Sequence, residues 1–371
     1  MPRPLYVTQP LLPDLKDMQG LLEEIWQTKI LTNGGPMHQK LEQRLADYLG
    51  VPTAMLFNNG TIALLTALKL FDLPVGSEVI TTPLTFAATA HVICWNGLTP
   101  VFADVSPGTL TIDPDAVRKA VTSKTSAILA VHVYGTVCDL KGLQSIADEY
   151  GLRLIYDAAH ALGTTVEGKS IGLFGDASIF SFHATKLFTT AEGGLITTGN
   201  SSDKEPLYYL RNFGIKNEEE VVSVGINGKL NEIQAAIGLL NLPLVKEEEK
   251  RRARLREKYR EFLISLPGIE LQPTQPGISQ SEQYFCILID ATAFGRSRDD
   301  IYASLRKKEI FARKYFHPLC TDFESYRNFP IHSTRDKPYA EIVKSQVLCL
   351  PFHSGVSDED VGDIREEFLS R

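Results

Sequence analysis

Arg153-Leu-Ile-Tyr-Asp157 and Ala177-Ser-Ile-Phe-Ser-Phe182 are two short apolar runs, and they decide how this 371-residue chain folds. Each has the length and the composition of a strand buried inside a sheet. The first run ends on Asp157, and the second leads directly into His183-Ala-Thr-Lys186. Ligands of open α/β sheets bind beyond the carboxyl ends of the strands. The sequence therefore predicts that Asp157 and Lys186 project into one crevice.

Strand-like and helix-like segments alternate on both sides of these runs, from about residue 52 to 200. The other predicted strands are Thr53–Phe57, Glu78–Thr82, Pro100–Val105, Ser126–Val133 and Gly194–Thr198. The predicted helices are Thr61–Phe71, Phe86–Asn96, Pro114–Val121 and Leu140–Tyr150. Alternation of this kind is typical of parallel strands covered by helices on both faces. We therefore expect a large α/β sandwich domain with a mostly parallel, seven-stranded sheet.

The pattern changes after about residue 230, where strands and helices no longer alternate regularly. The predicted elements there are a long helix over Leu230–Ser265 that breaks at Pro243, a strand over Tyr284–Asp290, and helices over Arg298–Lys307 and Asp358–Leu369. This order predicts a smaller α+β domain. We expect domains at 1–230 and 231–371, although the segment 1–40 matches neither pattern clearly.

Composition and charge exclude several classes of protein. The chain is 43% hydrophobic and 22% charged, which argues against disorder and against a coiled coil. Its net charge of −7 provides no global positive field for nucleic acid or anionic lipid. Five cysteines without a C-x-x-C pair argue against a disulfide framework and a cysteine-rich zinc site. With no apolar run of about 18 residues and no signal-like start, we expect a cytosolic protein without a membrane or nucleic-acid partner.

The segment 163–170 matches a known phosphate-binding motif, but its surroundings do not fit that motif. Gly163-Thr-Thr-Val-Glu-Gly168-Lys169-Ser170 matches the pattern of an ATPase phosphate-binding loop. Such a loop needs a helix directly after its Lys-Ser pair, whereas Ile171–Asp176 contains two glycines. The β-branched residues before Glu167 also favour extended backbone. We therefore interpret this segment as a β-hairpin that turns at Glu167–Gly168.

The lysine after the second run indicates a specific cofactor chemistry. A lysine that faces an aspartate in a crevice fits pyridoxal phosphate, because the amine forms an imine with the cofactor aldehyde. Asp157 would keep the pyridine nitrogen protonated, so that the ring acts as an electron sink. The alternative interpretation of Lys186 is an ordinary exposed lysine in a loop. A loop bracketed by two buried strands is a less usual place for such a lysine.

A phosphate-bearing cofactor also needs an anion site. Asn58-Asn59-Gly60-Thr61 lies between a predicted strand and a predicted helix, where free backbone N–H groups at the helix start attract anions. Ser181 adds a hydroxyl on the same wall, and Phe86 could stack on the cofactor ring. An ordinary helix cap and a core phenylalanine are the alternatives for Gly60 and Phe86.

A set of motifs in this order resembles the DegT-type sugar aminotransferases. The motifs are Asn-Gly-Thr-x-Ala-Leu at 59–64, Thr-Phe-x-Ala-Thr-Ala at 85–90, Asp-Ala-Ala at 157–159, Ser-Phe-x-x-x-Lys at 181–186, Glu-Gly-Gly at 192–194, Arg-Asn-x-Gly at 211–214 and Gly-x-Asn…Gln-Ala-Ala at 225–236. The resemblance implies the fold-type I aminotransferase architecture and a homodimer with shared active sites. It also implies a nucleotide-linked keto-sugar as amino acceptor and L-glutamate as amino donor.

The resemblance assigns roles to residues at the cofactor ring. Lys186 would be the Schiff-base lysine, and Asp157 the partner of the pyridine nitrogen. Phe86 would cover the ring face. His160 stands where many relatives have a glutamine that contacts the ring hydroxyl, and a histidine can donate the same hydrogen bond through either nitrogen.

The resemblance also assigns roles at the two ends of the site. Gly60, Thr61 and Ser181 would hold the phosphate, with Asn227 reaching in from the other subunit. The substrate-side hypotheses concern His183, which would line the sugar pocket, and Arg313 and Lys314, which would contact the sugar or the diphosphate. The alternatives are a structural histidine and surface charges on an edge strand.

The start of the chain refines the resemblance. Val7-Thr-Gln-Pro-Leu-Leu-Pro and Leu31-Thr-Asn-Gly-Gly-Pro36 look closest to the branch that makes dTDP-4-amino-4,6-dideoxy-D-glucose, a deoxyamino sugar of O-antigen lipopolysaccharides. Phe-His-Ala-Thr-Lys at 182–186 is shared with branches that aminate C3, so a 3-aminotransferase acting on a dTDP-3-keto-6-deoxyhexose is the alternative. A dehydrase of the same fold would carry a histidine in place of Lys186. A non-catalytic relative would lack either Lys186 or Asp157.

Overall fold

The computed structural model describes residues 4–370. Its strands are β1 Leu5–Tyr6, β2 Thr53–Phe57, β3 Glu78–Thr81, β4 Thr99–Ala103, β5 Thr125–Val131, β6 Arg153–Asp157, β7 Thr165–Val166, β8 Lys169–Ser170, β9 Ala177–Ser181, β10 Gly194–Thr198, β11 Ile269–Leu271, β12 Ile278–Ser279, β13 Phe285–Ile289, β14 Ile310–Phe311, β15 Ile331–His332 and β16 Val347–Leu350. Its α-helices are α1 Leu15–Thr28, α2 Pro36–Leu49, α3 Gly60–Leu70, α4 Ala87–Trp95, α5 Pro114–Ala120, α6 Leu140–Tyr150, α7 Lys204–Arg211, α8 Glu232–Asn241, α9 Val245–Leu263, α10 Ala291–Phe294, α11 Arg298–Lys307, α12 Tyr339–Gln346 and α13 Asp358–Leu369. No helix within this part of the chain is long and apolar enough to cross a lipid bilayer.

The main sheet has the strand order β15-β4-β3-β5-β6-β9-β10-β2. Six neighbouring strands, from β15 to β9, are parallel, and only β10 runs antiparallel to both of its neighbours. The mostly parallel sheet and its seven predicted strands are confirmed, each to within two residues at either end. The predicted number of strands is wrong by one, because β15 from the C-terminal part adds an eighth strand at the edge.

The central strands form because both of their faces are covered. Every residue of β2 and β10 is buried, as is every residue of β6 except its first. Continuous apolar runs of this kind are typical of strands between two helical layers. The helices begin where the sequence supplies caps, for example Asn59 at α3 and Asp139 at α6.

The C-terminal part contains a second, antiparallel sheet with the order β11-β13-β16. Helices α9, α11 and α13 pack with this sheet around their own apolar cluster, which includes Tyr259 and Phe285. The predicted break at Pro243 is present as a 3₁₀ turn between α8 and α9.

The predicted boundary at residue 230 stays a prediction, and several contacts cross it. Helix α8 packs against α1 and α2, and β15 completes the main sheet. Conversely, β1 pairs in parallel with β14. Residues 4–40 contact both sides of the predicted boundary, because Ile25 and Met37 also pack in one apolar cluster with Phe182.

The segment that matches the ATPase loop is a hairpin, as predicted. Strands β7 and β8 pair antiparallel, and the turn residues Glu167 and Gly168 both have positive φ. Two consecutive positive φ values are the signature of a tight hairpin turn. The segment therefore does not form a phosphate loop.

Candidate active site

The register of the main sheet brings three parts of the chain, distant in sequence, together at the carboxyl ends of β2 and β9. Gly194 of β10 lies opposite Phe57 of β2 on one side and Ser181 of β9 on the other. The residues that follow Phe57 and Ser181 therefore leave the sheet side by side. A Cβ atom on Gly194 would lie 2.5 Å from the carbonyl oxygen of Asn59, so only glycine allows this approach.

The start of helix α3 forms an anion-binding cradle against Ser181. The side chain of Asn59 accepts a hydrogen bond from the backbone N–H of Ile62 at 2.8 Å. The first backbone N–H groups of a helix have no partner within the helix, which leaves those of Gly60 and Thr61 for an anion. Thr61 is exposed and Ser181 is half-buried, so both hydroxyl groups are accessible from the crevice. The predicted anion site thus has the geometry that a phosphate requires.

We expect Gly60→Ala to weaken cofactor binding about tenfold, because the new Cβ atom would lie 2.9 Å from Cβ of Ser181 and displace the cradle. Gly20 provides the matched control, since nothing lies within 4 Å of a Cβ atom placed there in helix α1. Gly20→Ala should leave cofactor affinity unchanged and raise stability by about 0.5 kcal/mol. Absorbance titration of cofactor-free protein measures both affinities. Equal affinities of the two variants would contradict the assignment of the cradle.

Lys186 lies in the loop between β9 and β10, and it is half-buried. Its backbone N–H donates to the carbonyl of His183 at 2.8 Å, and its Nζ lies 5.9 Å from the ring centre of Tyr284. Burial lowers the pKa of Lys186 to about 8, and the attraction of Asp157 opposes this shift. The amine therefore changes its protonation state close to neutral pH, whereas an ordinary surface lysine stays protonated there.

Asp157 ends strand β6 and is 5% exposed. Its carboxylate accepts hydrogen bonds from Oγ1 of Thr89 at 2.8 Å and from the backbone N–H of Ala159 at 3.1 Å. Burial raises the pKa of Asp157 above its usual range, while these two donors and the charge of Lys186 lower it. A buried carboxylate held in this way is stabilised by a cationic partner in the crevice.

His160 is buried three residues after Asp157, and the structure determines which of its nitrogens carries the proton. Nδ1 lies 3.1 Å from the backbone N–H of Tyr134 and accepts its hydrogen bond. Burial and the charge of Lys186 hold the pKa of His160 well below its usual value, so the ring is neutral. A neutral imidazole that accepts at Nδ1 carries its proton on Nε2. Nε2 is therefore the atom that can donate to a ligand.

Aromatic side chains enclose this part of the crevice. Phe316 stacks on His160 with a centre distance of 6.0 Å, and Tyr284 meets the same ring edge-on at 5.0 Å. Phe86 directly precedes helix α4 and is 62% exposed, so it is not the core residue of the alternative interpretation. An exposed phenylalanine at the wall of a crevice is free to stack on a planar ligand.

Arg313 and Lys314, which we predicted to contact the substrate, lie at a cavity next to the crevice. Arg313 and Lys314 line a cavity of about 860 Å³ together with Phe86 and Thr185, the residue before Lys186. Arg313 is exposed and lies over the ring of Tyr315, 4.8 Å from its centre. This cavity adjoins the crevice and is large enough for a sizeable ligand.

Lys314 and His183 have partners inside the protein. Lys314 pairs with Asp299 at 2.5 Å, which ties up part of its hydrogen-bonding capacity. Nδ1 of His183 lies 2.9 Å from Oγ1 of Thr185, and Nε2 lies 3.5 Å from Glu192. These contacts hold the loop that carries Lys186. They support a structural role for His183 at least as well as a contact with the sugar.

Asn227 is exposed on a mostly apolar face that reaches the start of helix α3. There it lines a cavity of about 800 Å³ that also includes Thr61 and Phe86. Asn227 therefore lies on the same surface as Thr61, and this surface is open to another molecule. The role predicted for it in the other subunit stays a prediction.

The sequence interpretation missed several contributors to the site. Thr89 of helix α4 orients Asp157, Tyr134 fixes the tautomer of His160, and Tyr284 and Phe316 form the aromatic wall. Thr89 does fall inside the motif Thr-Phe-x-Ala-Thr-Ala, which was a usable signal. The other three carry no local pattern.

The residues of the crevice fit pyridoxal phosphate. The cradle of Gly60 suits a phosphate, since a side chain at this position would fill it. The buried carboxylate of Asp157 suits a protonated ring nitrogen, and the Nε2 proton of His160 suits a ring oxygen. Lys186 supplies an amine whose lowered pKa favours attack on an aldehyde.

Comparison with known proteins identifies the family of the chain. The model of the DegT/DnrJ/EryC1/StrS aminotransferase family matches residues 14–369. A dTDP-4-amino-4,6-dideoxy-D-glucose transaminase of Escherichia coli is 43% identical over 368 residues, 98% of each chain. The transaminase of the same name from Shigella dysenteriae is 45% identical over 97% of this chain and 96% of its own. The crystal structure of DesI with its TDP-sugar product superposes with a TM-score of 0.91 at 36% identity, covering 99% of this chain and 92% of DesI. The chain belongs to the DegT/DnrJ/EryC1/StrS aminotransferase family.

Proposed function

We propose that this protein transfers an amino group from L-glutamate to C4 of dTDP-4-keto-6-deoxy-D-glucose, which yields dTDP-4-amino-4,6-dideoxy-D-glucose. The observation that carries the proposal is the electrostatic interaction between a half-buried, low-pKa lysine and a buried aspartate at the carboxyl ends of neighbouring strands. The names of the relatives from Escherichia coli and Shigella dysenteriae support the choice of sugar and of carbon atom. We further propose that the enzyme is cytoplasmic and acts in the synthesis of deoxyamino sugars for O-antigen.

Pyridoxal 5′-phosphate is the cofactor of this family. When bound, it supplies the ring that accepts electrons from the carbon that loses its proton. We assign its phosphate to Gly60, Thr61 and Ser181, and its ring nitrogen to Asp157. Nε2 of His160 would donate to the ring hydroxyl, and Phe86 would cover the ring face.

Lys186 performs the proton transfers in this proposal. With a pKa of about 8, its Nζ is unprotonated in roughly a tenth to a fifth of the molecules at physiological pH, far more than for an ordinary lysine, so it can take a proton from the α-carbon of glutamate. In the second half of the reaction it returns a proton to the sugar carbon. Asp157 would remain anionic, because Thr89 and Ala159 donate to it and a protonated ring nitrogen would supply the opposite charge.

The cavity beside Lys186 is the proposed sugar-nucleotide site. Arg306, Arg313 and Lys314 lie on its walls and offset the negative net charge of the chain locally. One guanidinium group can donate two parallel hydrogen bonds to two oxygens of a phosphate, which suits binding of a diphosphate. Arg313 is the stronger candidate of the two residues predicted for this role, because Lys314 is already paired with Asp299.

We propose that the protein acts as a homodimer. The face that contains Asn227 exposes large apolar side chains, among them Trp95 at 82% and Val224 at 85%. Apolar surface of this kind is typical of an interface between proteins. Packing of a second copy on this face is compatible with a contribution from Asn227 of the partner subunit to the phosphate end of the site.

Product analysis tests the proposed reaction. We expect purified protein incubated with dTDP-4-keto-6-deoxy-D-glucose and L-glutamate to form 2-oxoglutarate and a sugar whose nitrogen NMR places on C4. The control replaces the substrate with a dTDP-3-keto-6-deoxyhexose, which should remain unchanged. Amination of the 3-keto sugar alone would overturn the choice of carbon but not the aminotransferase chemistry. Loss of water from the sugar without amination would favour a dehydrase.

A further inference from the structure

The side chain of Gln283 connects the two residues that flank Lys186. Its Oε1 accepts a hydrogen bond from the backbone N–H of Leu187 at 2.7 Å, and its Nε2 donates to the carbonyl of Thr185 at 3.1 Å. Gln283 is 2% exposed, so neither bond competes with water. One buried amide thus holds the backbone on both sides of the lysine.

The other end of this connection is rigid. Gln283 lies two residues before β13, whose five residues are all buried at the centre of the smaller sheet. The intervening residue, Tyr284, is the one whose ring lies 5.9 Å from Nζ of Lys186. The loop that carries the lysine is therefore tied to a strand of the C-terminal sheet, more than 90 residues further along the chain.

We infer that Gln283 is a positioning residue that acts through Lys186, and this inference rests on the role proposed above for that lysine. A lysine amine sits on a flexible four-carbon stem, so only its backbone and its packing limit where it can reach. In the proposed reaction Nζ must serve two different carbon atoms, one on glutamate and one on the sugar. Small displacements of a catalytic group are costly, and the Gln283 amide fixes the backbone on both sides of Lys186.

The first test removes both hydrogen bonds without changing the volume. We expect Gln283→Met to lower kcat about tenfold, and to lower the single-turnover rates of both half-reactions. The KM values for the two substrates should change less than about twofold. Hydrogen exchange at the Leu187 amide should accelerate, because this group loses its acceptor.

Gln275 is the matched control for this substitution. Its amide makes the same pair of bonds to the backbone of Val137, with both distances at 2.8 Å, but in a loop without Lys186. Gln275→Met should lower the melting temperature and leave kcat and the exchange of Leu187 unchanged. Comparable losses of kcat in both variants would show that only stability is affected, and would overturn the inference.

A second variant tests the hydrogen bonds through pH. In Gln283→Glu, a neutral carboxyl group can accept from Leu187 and donate to Thr185, whereas the ionised group faces the Thr185 carbonyl without a proton. We therefore expect the ratio of its kcat to that of wild type to rise as the pH is lowered from about 9 to about 6, since burial raises carboxyl pKa values. A ratio independent of pH, together with a wild-type kcat for Gln283→Met, would refute the positioning role.

Borohydride reduction separates this inference from the proposed function. If it fixes the cofactor to Lys186 in wild-type protein while the Gln283 variants keep full kcat, only the inference fails. If no cofactor is fixed to Lys186 in wild type, the proposed function fails, and the inference fails with it.

Discussion

Lys186→Ala should abolish turnover, with a decrease in kcat of about 10⁴-fold or more. The variant lacks both the amine that attaches the cofactor and the only proposed carrier of the transferred proton, and a positioned acid–base group alone contributes up to about 10⁴-fold. The half-buried amine with its lowered pKa contributes little to the folded state, so the variant should unfold at nearly the same temperature. Borohydride treatment followed by peptide mapping should place a pyridoxyl group on Lys186 in wild type and on no lysine in the variant.

Lys169 is the matched control, because it is exposed in the hairpin formed by β7 and β8. Lys169→Ala should keep wild-type kcat and wild-type labelling of Lys186. Full turnover by Lys186→Ala would end the proposed mechanism, as would a pyridoxyl label on a different lysine of the wild-type protein. Cofactor retained without covalent attachment in Lys186→Ala would agree with the roles assigned to Gly60 and Ser181.

The large sheet was predictable because its strands are buried on both faces. Such strands are continuous apolar runs, and Arg153–Asp157 and Gly194–Thr198 agree with the structure at both ends. The eighth strand, Ile331–His332, has only two residues, too few for any periodicity. Its partner β4 lies more than 220 residues earlier, so only tertiary structure brings the two together.

The meeting of Asp157, Ser181 and Lys186 was also predictable, since parallel strands end at the same edge of a sheet. What the sequence could not reveal is how each group is held. Tyr134 reaches His160 through its backbone N–H, a contact that depends on the path of a loop and not on the residue type. Gln283 reaches the lysine loop from another sheet, and a lone glutamine before a strand has no recognisable motif.

The hypotheses for the substrate side depended on residue type alone, and the structure separates them. Arg313 and Lys314 are adjacent in sequence and carry the same charge, yet within residues 4–370 a carboxylate pairs with Lys314 and none pairs with Arg313. That partner, Asp299, belongs to helix α11, which folds against the strand that precedes Arg313. Charge is visible in a sequence, but whether the charge is already neutralised is decided by packing.

Asp157→Asn should lower kcat about 10³-fold and leave the protein at least as stable as wild type. An amide can still accept from Thr89, but it has no charge to keep the cofactor nitrogen protonated, and loss of one electrostatic group costs about 10²- to 10³-fold. Stability should change in the other direction, since the carboxylate is buried and its pKa is raised in the folded state. A carboxyl group with a raised pKa stabilises the fold when protonated, and this contribution is lost as the pH rises through that pKa. In cofactor-free protein the melting temperature of the variant should therefore exceed that of wild type at neutral pH, and the difference should shrink as the pH is lowered.

Asp139 supplies the control with the opposite signs, because it is exposed and caps helix α6 by accepting from Gly142 at 2.9 Å. Asp139→Ala should lose about 1 kcal/mol of stability and retain full kcat. Asp157→Asn should also lower the pKa of Lys186 below about 8, because the attraction of Asp157 opposes the effect of burial on that amine. The pH dependence of Lys186 acylation in cofactor-free protein measures this shift. If the pKa of Lys186 stayed the same and kcat were retained, Asp157 would be a structural residue, and the electrostatic basis of the mechanism would be lost.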